Sequence, residues 1–196
     1  MKDRIFNKDL ILCPLLGISL AVCLNLIIGV LSIDSLFPTY STEVKPWLFR
    51  LPFAAGLLIY VIIAPLLEEL IFRRLFFKAL CTYVLAPAAG AASAVIFALY
   101  HGNAVQFIYA FIFGLVLSFV YWRSDDLLSP ILLHAGANLI VWILYFLPSI
   151  PLIKEKAFQA VMILLSGIIS FLILRYLIKT CPKKSIRPSK PIFPGG

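Results

Sequence analysis

The chain has 196 residues, of which 62% are hydrophobic and 13% charged, and its formal net charge is +8. Soluble domains contain about half apolar and about a quarter charged residues, so this composition excludes an ordinary globular protein and a disordered chain. The basic residues stand in short segments between long apolar stretches, which argues against a nucleic-acid interface and indicates a membrane protein.

The apolar stretches predict an all-α, polytopic membrane helix bundle that forms a single transmembrane domain over residues 1–196. A bilayer core requires about 20 apolar residues per helix, and the sequence contains enough for about six such helices. Residues 79–122 hold no Asp, Glu, Lys or Arg, which is long enough for two of them. The predicted helices lie at 10–33, at 47–80, twice within 79–122 with a break at 101–103, at 127–146 and at 158–178.

The distribution of positive charge predicts the orientation of this bundle. Six crossings place both termini on one side of the membrane. The terminal arms and the segments after the second and fourth helices hold 13 of the 17 Lys and Arg residues, against 4 on the opposite side. By the positive-inside rule, we expect both termini to be cytoplasmic, with residues 180–196 as a basic cytosolic tail.

Charged groups are rare inside the apolar stretches, and the first cluster lies in the second predicted helix. Each such group costs about 2.5–3.5 kcal/mol in a bilayer and is therefore a functional candidate by default. Glu69 and Arg73 are spaced i,i+4 in the order that favours a helical ion pair. Glu68 points about 100° away from that pair, so we interpret it as a candidate general base. Pro65 lacks the N–H that would bond to the carbonyl of Val61, which predicts a kink just before the acids.

The other titratable candidates are the two histidines of the chain. Phe97 precedes His101 by one helical turn, so its ring can pack beneath the imidazole. His134 and Asn138 project from one face of the fifth helix, one turn apart. A carboxylate and an imidazole together with two neutral donors are typical of a hydrolytic site, with a base, an orienting group and oxyanion donors.

The depth of these groups in the membrane predicts a hairpin. Hydropathy puts His101 near the outer end of the third helix and Glu68 close to the inner end of the second. An antiparallel hairpin that turns near Leu85 brings the two residues level. This requires the second helix to continue through Lys78 to about Cys81.

Three short segments, EELIFR (68–73), FALYH (97–101) and HAGAN (134–138), resemble the EExxxR, FxxxH and HxxxN motifs of the CPBP family. This family contains type II CAAX prenyl endopeptidases, bacteriocin-processing and immunity proteins, and bacterial glutamic-type intramembrane proteases. The resemblance covers residues 60–142, about the helix 2–5 core, and it implies a multi-pass protein of a bacterial or archaeal plasma membrane. The implied roles are water activation by Glu68 and His101, oxyanion stabilisation by His134 and Asn138, and structural support by Glu69, Arg73 and Phe97.

The resemblance implies an intramembrane endopeptidase that acts on a membrane-anchored protein. A prenylated CAAX end, a C-terminal sorting tag and a bacteriocin leader remain open as substrates, and so does the oligomeric state. The alternatives are a proton-coupled transporter that uses the same buried acid and a noncatalytic immunity or scaffold protein. We expect no cofactor. Zinc is the alternative, since two carboxylates and two histidines can bind it, although the chain has no HExxH helix.

Overall fold

The computed structural model describes residues 7–147 and 155–180, and every regular element in these two ranges is helical. The predicted all-α helix bundle is confirmed. Three short helices, Ile33–Leu36, Tyr40–Val44 and Lys45–Leu48, connect the first two long helices. The long helices are α1 (Asn7–Val30), α2 (Phe53–Leu80), α3 (Ala86–Tyr100), α4 (Ala104–Ser124), α5 (Leu128–Phe146) and α6 (Lys156–Thr180).

The lengths of the helices agree with an integral, multi-pass membrane protein. In the described part of the chain, 5 helices are long and apolar enough to cross a membrane. The remaining one, α3, is apolar but has only 15 residues, fewer than the roughly 20 that a crossing requires. The cytoplasmic location of the termini stays a prediction, and the predicted tail lies outside the described residues except for Thr180.

The start of α2 differs from the sequence-based expectation. The predicted helix began at Trp47, but Trp47 belongs to the short helix Lys45–Leu48, and α2 begins at Phe53. The backbone between them is extended at Pro52, with φ −55° and ψ 148°. Proline fixes its own φ, lacks an N–H and disfavours a helical residue before it, so a single continuous helix is interrupted at this point.

The predicted hairpin of the second and third helices is confirmed. The helix α2 continues to Leu80, and α3 begins at Ala86 after a short turn. At about 1.5 Å per residue, Glu68 lies roughly 18 Å from the turn along α2, and His101 roughly 22 Å along α3. The two residues therefore lie at similar distances from the turn, because α3 has only 15 residues.

The helices α1 and α5 pack backbone to backbone through two glycines. A Cβ atom on Gly17 would lie 1.9 Å from the carbonyl oxygen of Leu133, and a Cβ atom on Gly136 would lie 2.5 Å from that of Pro14. Small residues allow such approach in membrane helix bundles. This contact sets the position of the part of α5 that carries His134.

The helix α2 contains two π-helical segments, Leu57–Ile63 and Leu70–Phe77, on either side of the α-helical segment Ala64–Glu69. In a π-helix each N–H bonds to the carbonyl five residues back, and Ala64 donates in this way to Ile59. The two acids therefore lie on a short α-helical segment between two irregular ones.

The first π segment changes which carbonyl Pro65 leaves without a donor. In the α-helical register assumed from the sequence, the carbonyl without a backbone donor is that of Val61, four residues before Pro65. In the π register it is that of Tyr60, five residues before. The side-chain amide of Asn138 donates a hydrogen bond to the Tyr60 carbonyl at 2.8 Å. A side chain of α5 thus replaces a backbone donor that Pro65 lacks.

Two further side chains bond to the backbone of α2. Ser93 of α3 donates to the carbonyl of Phe72 at 2.8 Å, and the indole of Trp142 of α5 donates to the carbonyl of Phe53 at 3.1 Å. The ring of Trp142 also fills the space next to Gly56, where a Cβ atom would lie 1.8 Å from it. Neighbouring helices therefore hold α2 at its start and in both π segments.

We predict that Gly17→Ala lowers the melting temperature, because its methyl group would meet backbone atoms of α5 that cannot rotate away. The expected cost is about 1–3 kcal/mol. Gly29→Ala is the matched control, since a Cβ atom there meets nothing within 4 Å, and it should leave the melting temperature unchanged or raise it. Equal melting of the Gly17 variant and the wild type in detergent would contradict the α1–α5 contact.

We also predict that Asn138→Ala destabilises the fold by about 1–2 kcal/mol, because the Tyr60 carbonyl loses its donor. In a Pro65→Ala background the loss should be smaller, since the substituted alanine supplies an N–H that can bond to the same carbonyl. Thermal unfolding of the two single variants and the double variant measures this coupling. Strictly additive losses would show that Asn138 does not substitute for the missing backbone donor.

Candidate active site

The candidate site begins with a buried ion pair on α2. The side chains of Glu69 and Arg73 are each 0% exposed, and Arg73 Nε lies 3.1 Å from Glu69 Oε2. Arg73 also donates to the carbonyl of Gly114 at 3.3 Å, and its guanidinium carbon lies 4.6 Å from the centre of the Phe97 ring. A carboxylate, a carbonyl and an aromatic face thus compensate the buried positive charge.

His134 connects the two acids. Its Nδ1 lies 2.9 Å from Glu69 Oε1, and its Nε2 lies 3.7 Å from Glu68 Oε2. Because an ionised carboxylate accepts hydrogen bonds only, Nδ1 carries the hydrogen in the bond to Glu69. In the neutral ring Nε2 then holds a lone pair, and it becomes a donor only when the ring is protonated.

The two adjacent acids have different surroundings. Glu69 is fully buried, with one oxygen beside Arg73 and the other bonded to His134. Glu68 is 18% exposed, and among the described residues its ion-pair contact is with His134. Glu69 is therefore held in place by its neighbours, whereas Glu68 retains oxygen atoms that can bind water.

His101 caps the C-terminus of α3. Its Nδ1 donates to the carbonyl of Phe97 at 2.9 Å, which leaves the lone pair on Nε2. The ring of Phe97 meets both imidazoles nearly at right angles, with centroid distances of 4.9 Å to His101 and 5.7 Å to His134. Phe97 thus packs against both histidines. Its spacing in the sequence predicted the contact with His101 but not the contact with His134. In the described part of the chain, no direct hydrogen bond or ion pair joins His101 to Glu68.

Asn138 lies one turn beyond His134 on α5, and one N–H of its side-chain amide is already engaged. Its Nδ2 donates to the Tyr60 carbonyl, so the sequence-based oxyanion role depends on the second N–H of the same amide. The structure therefore brings Glu68, Glu69 and His134 together between α2 and α5, with Asn138 one turn further along α5. His101 approaches the group from α3 through Phe97.

A cavity of about 370 Å³ lies beside His101, and the sequence analysis missed its other polar residues. Asn103 accepts a hydrogen bond from the backbone N–H of Gln106 at 2.9 Å and donates to the carbonyl of His101 at 3.0 Å. An Asn followed three residues later by Gln is a helix N-cap signal that could have been read. The opposite wall contains Glu43 and Trp47, and no local pattern indicates that contact.

The donors suited to a metal ion are few in this region. Within residues 7–147 and 155–180, no group of three or more His, Cys, Asp or Glu side chains is arranged to hold a metal ion. Glu68 lies 3.7 Å from Nε2 of His134, and Glu69 lies 2.9 Å from Nδ1 of the same ring. Glu69 itself faces a guanidinium, which competes with a cation for the same carboxylate.

Comparison with known proteins finds similarity over part of the chain. Residues 50–140 match the family model described as type II CAAX prenyl endopeptidase Rce1-like. The chain is 30% identical over 103 residues to a Bacillus subtilis (strain 168) protein named "Putative membrane peptidase YdiL", a match that covers 53% of this chain and 42% of that protein. The chain thus spans less than half the length of this relative. No solved structure matches the chain.

The matched region contains all three motifs and extends from the start of α2 into α5. The resemblance to the CPBP family that the motifs indicated is confirmed by the family match and the Bacillus relative. Over residues 50–140, this membrane protein is similar to the family described as type II CAAX prenyl endopeptidase Rce1-like.

Proposed function

We propose that the chain is an intramembrane endopeptidase that hydrolyses a peptide bond of a membrane-anchored protein. The Rce1-like match and the name of the Bacillus relative support this class of reaction and a membrane location, which we propose to be a bacterial or archaeal plasma membrane. The residue assignment rests on one observation. Glu69 has both oxygens engaged, whereas the neighbouring Glu68 has a partly exposed carboxylate 3.7 Å from His134 Nε2.

Glu68 and His101 activate the water in this proposal. Each offers an atom that accepts a proton: a carboxylate oxygen of Glu68, and Nε2 of His101, whose Nδ1–H is bonded to the Phe97 carbonyl. The water oxygen attacks the carbonyl carbon of the substrate while one of these groups takes the proton. The same proton then passes to the amide nitrogen as the C–N bond breaks.

His134 and Asn138 hold the oxyanion that forms in this step. Because Nδ1 of His134 is bonded to Glu69, Nε2 can donate only from a protonated ring, which replaces the neutral donor expected from the sequence. The second donor is the remaining N–H of Asn138, on the same face of α5. Glu69 orients His134 through the 2.9 Å bond to Nδ1, and Arg73 in turn holds Glu69. Donors fixed in this way stabilise developing charge without reorganising during the reaction.

The proposed mechanism uses no metal ion, and zinc is the competing alternative. The Nδ1 atoms of both histidines are engaged by Glu69 and by the Phe97 carbonyl, so each ring offers only Nε2. Arg73 lies 3.1 Å from Glu69 and would repel a dication bound to that carboxylate. These contacts favour water activation by side chains alone.

We predict that Glu68→Gln lowers turnover by about 100- to 10,000-fold, because one of the two groups that activate the water is lost. Its melting temperature should stay close to that of the wild type, since Glu68 is not part of the buried ion pair. Cleavage of a membrane-anchored reporter that the wild type processes, followed by mass spectrometry, measures the turnover. Normal turnover by this variant would rule out Glu68 as the base.

The isosteric change Glu69→Gln is the matched control one residue away. It should lower the free energy of unfolding by about 3–5 kcal/mol, because it leaves the buried guanidinium of Arg73 without a counter-charge. Activity and melting temperature should therefore fall together in this variant. A folded, stable Glu69→Gln protein would contradict the supporting role of the pair.

A further prediction concerns metal. Dialysis of the purified chain against a strong chelator should leave the cleavage rate unchanged, because the proposed base and acid are side chains. Elemental analysis before and after dialysis provides the control. Stoichiometric zinc whose removal abolishes cleavage and whose return restores it would establish the zinc alternative instead.

A further inference from the structure

The cavity beside His101 contains a carboxylate that the proposed mechanism does not use. One wall comes from the connection between α1 and α2 and includes Glu43 and Trp47, and the other comes from the start of α4 and includes Asn103 and Gln106. His101 lines the same cavity, whose volume is about 370 Å³. One of the two groups assigned to water activation therefore forms part of the cavity wall.

The polar side chains of the two walls differ in the number of hydrogen bonds and ion pairs that they make within the protein. The side chains of Asn103 and Gln106 bond to each other, and Asn103 bonds to the backbone on both sides of it. Glu43 is exposed and makes no ion pair with any described residue. Its carboxylate is thus the charged group of the cavity that is available to a ligand.

Trp47 adds an aromatic ring that is 54% exposed, so part of its surface stays accessible beside Arg50. The guanidinium carbon of Arg50 lies 4.7 Å from the centre of the Trp47 ring, a distance at which the ring attracts positive charge. An aromatic face next to a carboxylate is suited to the long cationic side chains of Lys and Arg. The chain has 9 acidic residues against 17 basic ones, so an unpaired acid at this position contrasts with its overall charge.

We propose that this cavity binds a Lys or Arg side chain of the substrate, with Glu43 as its counter-ion and Trp47 as its aromatic wall. The proposal rests on the endopeptidase function, because the cation belongs to the chain that is cleaved. A side chain held in the cavity keeps the adjoining peptide bond beside His101. Glu43 is then a specificity-determining residue that selects substrates with a basic residue next to the cleaved bond.

The first experiment tests the cavity without requiring catalysis. The full chain in lipid nanodiscs is titrated with Nα-acetyl-arginine methylamide and with the neutral analogue Nα-acetyl-citrulline methylamide, and binding is followed by saturation-transfer NMR. We expect the arginine compound to bind about 5- to 10-fold more tightly, from one exposed ion pair and one cation–π contact. Glu43→Gln should remove this difference.

Asp34→Asn is the matched control for this titration. It removes one negative charge from the same connection, but Asp34 does not line the cavity, so the preference for the arginine compound should persist. Equal binding of the two compounds to the wild type would overturn the proposal. A preference that survives Glu43→Gln would overturn it as well.

The second experiment tests the role in cleavage. Single-span peptides that differ only in Lys, Gln or Glu beside the cleaved bond are presented to the chain in proteoliposomes. The wild type should cleave the Lys peptide with a kcat/KM about 5- to 10-fold above that of the Gln peptide, mainly through KM, and Glu43→Lys should prefer the Glu peptide.

The two experiments separate this proposal from the proposed function. The specificity role would be overturned if the wild type and the Glu43 variant cleaved the Lys, Gln and Glu peptides at equal rates. The endopeptidase function would then still stand. If the wild type cleaves none of the peptides, the endopeptidase function fails, and the specificity role fails with it. The titration would then still report whether the cavity binds a cation.

Discussion

The buried guanidinium of Arg73 is the constraint on which the rest of the site depends. A positive charge inside an apolar bundle is stable only when nearby groups replace the water it has lost. Here these groups are Glu69, the carbonyl of Gly114 and the ring of Phe97. They belong to α2, α4 and α3, so the solvation of one side chain ties three helices together.

The same interaction makes two neighbouring acids different. Glu69 contacts Arg73 through one oxygen and His134 through the other, and it thereby fixes the orientation of that ring through its Nδ1–H. Glu68 is left at the edge of the buried network, partly exposed and facing the other nitrogen. The proposed division between a supporting acid and a reacting acid follows from this asymmetry, since the two side chains are chemically identical.

Irregular backbone places these groups at a common depth. The two π segments of α2 enclose the acids, and side chains from α5 and α3 bond to the backbone there. The short helix α3 ends just before His101, which lines the same cavity as Glu43. Departures from regular helix are common at functional sites, because they aim side chains that an ideal helix would direct elsewhere.

The sequence by itself determined the helical class, the order of the apolar segments, the hairpin of α2 and α3, and the contacts within one helix. The Glu69–Arg73 pair and the Phe97–His101 contact follow from the helical period, which is a local property.

Only the tertiary structure decided the bond between Glu69 and His134, which are 65 residues apart. It also decided the π register at Tyr60, whose carbonyl accepts a hydrogen bond from Asn138 of another helix. The position of Glu43 beside His101 likewise depends on how a connecting segment packs on the bundle. Such contacts depend on the relative placement of separate helices, which no spacing along the chain encodes.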